Sequence, residues 1–164
     1  MAIMAREKSG FPESGLVRKT YCIRRLDFPP SVRLTRKSLL RWFALSIGLI
    51  SERESRQTAL DILDSVLYSI FALREPMTSE ELLGLIKHRS DKTVSEKLLL
   101  YHLHRLAELG LIVRKKKRYC FNSAPKSAPD SFAEGFNHWV SADAIETLSG
   151  IESAFEELSK VYKK

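Results

Sequence analysis

Residues 76–121 constrain this chain more than any other stretch, because their structural landmarks follow one another without a gap. Pro76 lacks an amide donor and moves the residue before it out of the α region, so a preceding helix must stop there. Thr78 and Glu81 have the spacing of a capping box, which opens a short helix through Leu82, Leu85 and Ile86 towards Arg89. Ser90, Asp91 and Lys92 read as a polar turn. Thr93 and Glu96 repeat the capping spacing. The helix they predict carries Leu99, Leu103, Leu106 and Leu109 inward until Gly110 permits a left-handed stop. Leu111, Val113 and Arg114, then Arg118, Tyr119, Cys120 and Phe121, form two β-prone runs about a lysine turn. The order is helix, helix, hairpin, with an unbroken run of cations from Arg114 to Arg118 at its tip.

Upstream, Leu39, Trp42, Phe43, Ile47 and Ile50 recur at steps of three and four opposite Arg36, Lys37 and Arg41, which predicts an amphipathic helix beginning near Thr35. Ser51 and Glu54 resemble a further capping box. The helix after it, reaching Leu73, carries a broad apolar stripe of Ala59, Ile62, Leu63, Val66, Leu67 and Ile70, against which Trp42 and Phe43 are expected to pack. Residues 33–121 therefore form one expected domain. Residues 1–31 hold Gly10, Pro12, Gly15, Pro29 and Pro30 around one possible strand, Lys19 to Leu26, and read as a basic, mobile arm.

Downstream, residues 122–129 contain small side chains and two prolines and read as a linker to a helical extension over residues 130–164. Phe132, Phe136, Trp139 and Val140 mark one helix there, and Ser141 is expected to cap another. Leu148, Ile151, Phe155, Leu158 and Tyr162 alternate steps of three and four, the interval of a coiled-coil seam. A homodimer through this last helix is the expectation.

The formal charge is +7 and the isoelectric point about 9.5, which favours an acidic partner such as nucleic acid or an anionic membrane surface. The charge is unevenly placed. Residues 130–164 hold seven acids against three lysines, a net of −4, so residues 1–129 carry +11. Arg33, Arg36, Lys37 and Arg41 make a second basic face near the front, beside Trp42 and Phe43. Core packing of those aromatics is preferred to burial in a membrane interface. The longest mostly apolar stretch, Leu39 to Ile50, is interrupted by Arg41 and falls short of the roughly 20 residues that span a bilayer. The first residues contain no apolar signal core, and Cys22 and Cys120 lack metal-site or disulfide-framework spacing. A cytoplasmic protein away from membranes, with reduced thiols, is expected.

Catalytic chemistry has little to stand on. His102 and His104 lie two apart on a helix and point in different directions, and His88 and His138 have no ligand-like neighbours. There is no glycine-rich phosphate loop and no nucleophile elbow. No enzyme, cofactor or metal site is expected.

The stretch Thr93 to Ile112, followed by Val113 to Tyr119, resembles the recognition helix and wing of winged helix-turn-helix transcription regulators of the broad ArsR, MarR and PadR type. The resemblance covers residues 57–121 and is most specific at Leu106-Ala-Glu-Leu-Gly-Leu-Ile-Val-Arg114. It implies a mostly α fold with a small β-hairpin, namely a winged helix-turn-helix with added N- and C-terminal helices. It also implies double-stranded DNA as partner, with the helix over residues 93–109 in the major groove and the wing over 113–121 on the backbone or minor groove. The helix-start polar groups Thr93, Ser95 and Lys97, and then Tyr101, His104 and Arg105, are the candidate DNA contacts on the helix. Arg114, Lys115, Lys116, Lys117 and Arg118 are those on the wing. Leu98 and Leu100 depart from the pattern, since such regulators often place Ser, Thr, Tyr or Arg at these positions; an exposed Leu100 would touch a thymine methyl or dock on protein. A protein-docking adaptor or an RNA-binding winged helix are the alternative expectations.

Overall fold

Caps and left-handed turns divide the chain. The computed structural model describes residues 10–53 and 57–163 as a mostly helical chain with one antiparallel hairpin. Two short 3-10 turns, Pro12–Leu16 and Pro30–Leu34, precede α1 (Arg36–Ser46). Next comes α2 (Gln57–Tyr68), continued by a π turn over Ser69–Leu73. Then follow α3 (Ser79–Ser90), α4 (Glu96–Leu109), β1 (Ile112–Lys115) and β2 (Arg118–Phe121). The tail consists of α5 (Phe132–Phe136), a second π turn (Asn137–Ser141) and α6 (Ala142–Tyr162).

Local chemistry accounts for most of these ends. The Thr35 hydroxyl accepts the Ser38 amide at 3.1 Å and starts α1. Glu54, and with it the capping box expected from Ser51, lies outside the described residues. Arg74 takes the left-handed region (φ 56°) after the first π turn, ahead of Pro76. At α3 the box is reciprocal: Thr78 Oγ1 accepts the Glu81 amide at 3.2 Å, and Glu81 Oε2 accepts the Thr78 amide at 2.8 Å. Gly110, at φ 95°, closes α4.

The start of α4 differs from expectation. Its cap is Ser95, whose hydroxyl accepts the Leu98 amide at 3.3 Å; Thr93 is two residues outside. The cause is tertiary. Asp91 ends α3 in the left-handed region, and the chain must turn Val94 into the core before a helix can begin. Val94 and Leu99 then hold the positions of a hydrophobic staple, and both belong to the buried cluster.

Helices α1, α2, α3 and α4 close on one core in which Ile62, Leu63, Leu82, Ile86, Leu99, Leu103, Leu106 and Ile112 are fully buried. Each such aliphatic side chain contributes about 1.5–3 kcal/mol relative to its exposed state. Phe43 packs on this core. Trp42 does not: it stacks on Phe28 at 4.5 Å and donates to the Asp27 carbonyl at 2.8 Å.

Strands β1 and β2 pair from Ile112 opposite Phe121 to Lys115 opposite Arg118, so the turn itself is Lys116 and Lys117. Met77 and Tyr119 exchange two backbone hydrogen bonds, 3.0 and 2.7 Å, which fasten the hairpin to the residue before the α3 cap.

The tail is one continuous helical path through its π turn. Ser141 lies inside it, at φ −69° and ψ −48°, and caps nothing. The segment expected as a linker is bonded to the domain: the Asn122 amide and side chain donate to the Leu111 and Gly110 carbonyls at 3.1 Å each. A Cβ on Gly135 would stand 2.5 Å from the Phe121 ring, so only glycine lets α5 lie this close to β2. Phe132 meets Phe71 and Phe121 edge-on at 4.8 and 5.1 Å.

Residues 18–27 contain no strand and are pinned rather than loose. The Arg24 amide donates to the Ser46 carbonyl at 2.9 Å, and its guanidinium donates to the Leu45 and Ile50 carbonyls at 2.8 and 2.9 Å. Lys19 and Tyr21 both donate to Asp143 at the first turn of α6.

Candidate nucleic-acid interface

The hairpin tip is built to present charge. Lys115, Lys116 and Lys117 are exposed and make no ion pair among the described residues. Lys116 and Lys117 sit at φ 48° and 66°, as a two-residue hairpin turn matched to the strand twist requires. Asn and Gly take this conformation at least cost, so a lysine pair here carries strain of order 1 kcal/mol per residue. Arg114 is exposed and reaches over the Tyr119 ring at 5.6 Å.

Arg118, the fifth cation, turns the other way. It donates to the Pro76 carbonyl and to Glu81 Oε2, each at 2.9 Å, and to Glu81 Oε1 at 3.3 Å. The same carboxylate caps α3. The Thr78 backbone hydrogen bond first, and then Arg118, hold Glu81 below the usual carboxylate range. The hairpin is thereby tied to the α3 N-terminus by a charged bond as well as by the Met77 bridge.

On α4 the predicted residues divide. Thr93 and Lys97 are exposed at its start; Ser95 is exposed too, but its hydroxyl is engaged as the cap. Tyr101 is 50% exposed and lies edge-on to His102 at 5.1 Å. His104 faces solvent and pairs with Glu108 at 3.2 Å. Arg105 leaves the candidate face: it donates to the Leu49 carbonyl at 3.0 Å and to the Gly48 carbonyl. Its role is to satisfy the backbone of the loop after α1, whose flanking Leu45 and Ile50 carbonyls accept from Arg24. Leu100 is 38% exposed beside Tyr101.

Glu96 and Glu108 are exposed at the two ends of α4 against Lys97, so with Arg105 turned inward its outer face carries no net positive charge. The positive field belongs to the wing. Further cations are withdrawn by acids of α2: Arg89 donates to Asp64 at 2.6 Å and Lys92 to Asp61 at 2.8 Å. The α6 helix does not cover the hairpin, whose Arg114 to Arg118 are all exposed. Behind the hairpin, a pocket of about 480 Å³ contains Lys115 and Arg74 against Glu75 and Asp130, so its charges balance. No group of three or more His, Cys, Asp or Glu among the described residues is placed to hold a metal, and no helix there is long and apolar enough to cross a membrane.

Sequence reasoning missed the partners of Arg105 and Arg118. Nothing local signals them, because each bond joins segments far apart in the chain. The one legible hint was the row of loop carbonyls between α1 and α2, which need donors from somewhere. Comparison of the chain with protein-family models, with curated proteins and with solved structures gave no match.

Proposed function

We propose that the protein binds double-stranded DNA as a winged helix-turn-helix transcription regulator, and does so as a homodimer through α6. The observation that carries this reading is the exposed Arg114 to Lys117 run on a hairpin fastened to the start of α3, next to a helix pair whose second member exposes Lys97, Tyr101 and His104. In that reading the wing supplies the phosphate contacts, and α4 enters the major groove with few charges of its own. Arg105 and Arg118 support the geometry by holding α4 and the wing in place.

Fluorescence anisotropy with a labelled duplex tests it. The wild-type chain is expected to bind duplex more tightly than single strands or A-form RNA of the same length, and Lys97→Ala with Tyr101→Ala to weaken binding. Equal affinity for every polyanion would remove the reading. The exposed Leu100 and Tyr101 favour a second reading, a protein-docking adaptor. An adaptor would show no duplex affinity beyond the weak attraction of any basic chain.

A further inference from the structure

Helix α6 has no buried residue over its whole length. Ile145, Leu148 and Ile151 are each more than 60% exposed, Phe155 is 72% exposed and Tyr162 87%. Monomeric soluble proteins rarely leave so long an apolar stripe bare. The helix cannot fold back to cover it. Its path is continuous with α5, which is seated on Phe121 and Phe71, and its first turn is held by Lys19 and Tyr21. No described residue of the chain covers it.

The shape of the stripe limits what a covering molecule offers. Leu148, Ile151, Phe155, Leu158 and Tyr162 form the seam, while Ile145 and Val161 lie beside it and are equally bare. A two-stranded coiled coil covers only the seam; a wider stripe needs a second surface. The chain has one that is unfilled. Helices α1 and α2 leave an open groove of about 330 Å³, lined mainly by Leu39, Leu40, Phe43, Leu67 and Phe71 and also by the ion-paired Arg36 and Asp64.

Charge selects the same pairing. Helix α1, which forms one lip of the groove, and the turn before it carry Arg33, Lys37 and Arg41 with no acidic partner among the described residues, while Arg36 is paired with Asp64 of α2 at 3.5 Å. Helix α6 carries Asp143, Glu146, Glu152, Glu156 and Glu157 against Lys160. Glu146, Glu152 and Glu156 make no ion pair among the described residues of their own chain.

We propose that two copies exchange these helices, α6 of each lying in the α1–α2 groove of the other. This rests on the dimer named above and adds the surface that receives the helix. Each copy gives one helix and one groove, so the contact closes on itself as an isologous interface. A specific interface needs about 800 Å² per partner. Phe155 and Tyr162 alone bring on the order of 300 Å², by the usual area of an aromatic side chain.

The test uses the full chain with Cys22→Ser and Cys120→Ser. A tagged copy carrying Leu39→Cys is mixed with untagged copies carrying Cys at 145, 148, 151, 155 or 158 in turn, equilibrated and oxidised. A disulfide between the tagged chain and at least one α6 thiol is the expected result. Sedimentation should show a dimer that weakens as salt rises from about 50 to about 500 mM, because opposite charges meet. Leu39→Glu should weaken the dimer about tenfold with its helical circular dichroism unchanged. A dimer that cross-links only Ile151→Cys to Ile151→Cys, or that strengthens with salt, overturns the groove while leaving dimerisation standing. A monomer at tens of micromolar overturns both, and duplex affinity measured alongside then judges DNA binding separately.

Discussion

Arg105 illustrates why a cation on a candidate reading helix is not thereby a DNA contact. Its guanidinium satisfies the Gly48 and Leu49 carbonyls, 57 and 56 residues away, and an unsatisfied buried carbonyl costs about 1–3 kcal/mol. Arg105→Ala is therefore expected to lower stability by about 2 kcal/mol in urea unfolding; a stable variant with lost duplex affinity would return Arg105 to the interface. The wing turn makes the opposite point. Lys116→Asn with Lys117→Gly relieves two left-handed lysines and should raise stability by about 1 kcal/mol while weakening duplex binding. Unchanged affinity would mean that the tip does not touch phosphate. The reciprocal cap of Thr78 and Glu81 and the stop at Gly110 were legible in the sequence because they depend on neighbours within a turn. The shift of the α4 cap from Thr93 to Ser95 was not, because it follows from burying Val94 in a core that local spacing does not describe. Arg118 was read as a phosphate contact for the same reason: Glu81 lies 37 residues away.

At the scale of elements, the join between α4, the tail and the N-terminal strap decides how the ends are held. Gly110 has φ 95°, and a Cβ there would lie 2.8 Å from the Trp139 carbonyl oxygen. Gly110→Ala should cost about 2 kcal/mol and loosen α5, measured by thermal unfolding and amide exchange over residues 132–140; a neutral substitution would contradict the close packing. Asp143 is held below its ordinary value by hydrogen bonds from Lys19 and Tyr21. Burial opposes charge on Lys19, but the hydrogen bond to Asp143 raises it, and burial with the same carboxylate raises Tyr21. The Asp143 contribution is present above its unfolded value and lost as pH falls through the lowered one. Those of Lys19 and Tyr21 are present below their unfolded values and lost as pH rises through the raised ones. The latch thus spans the neutral range. A carboxyl NMR titration should place Asp143 below 3.8, and Tyr21→Phe should move it upward; no movement would remove Tyr21 from the latch. The strap was misread as a free arm because its bonds go to carbonyls and to a distant acid, which leave no periodic trace. The single tail helix was misread as two because Ser141 has the chemistry of a cap without its place.

For the whole molecule, charge and apolar surface are sorted along the chain. The first 129 residues carry +11 and the tail −4, and the tail keeps its apolar stripe in solvent. On the two proposals above, the basic half offers two separate surfaces, the hairpin for phosphate and the α1 lip for the acidic helix of a second copy. The coarse class, mostly helical with one small hairpin, was readable because capping and helical period repeat through residues 76–121; the absence of net positive charge on the outer face of α4 emerged only once Arg105 was seen to turn inward. On the proposed reading, the lack of net positive charge on α4 places the weight of DNA binding on the hairpin. The most direct measurement is the slope of log affinity against log salt for a duplex, compared between the wild-type chain and Lys115→Ala, Lys116→Ala, Lys117→Ala combined. Each phosphate contact contributes about 0.9 to the slope, so the triple variant should flatten it by about 2 to 3. Equal slopes for the two proteins would contradict a wing that grips DNA.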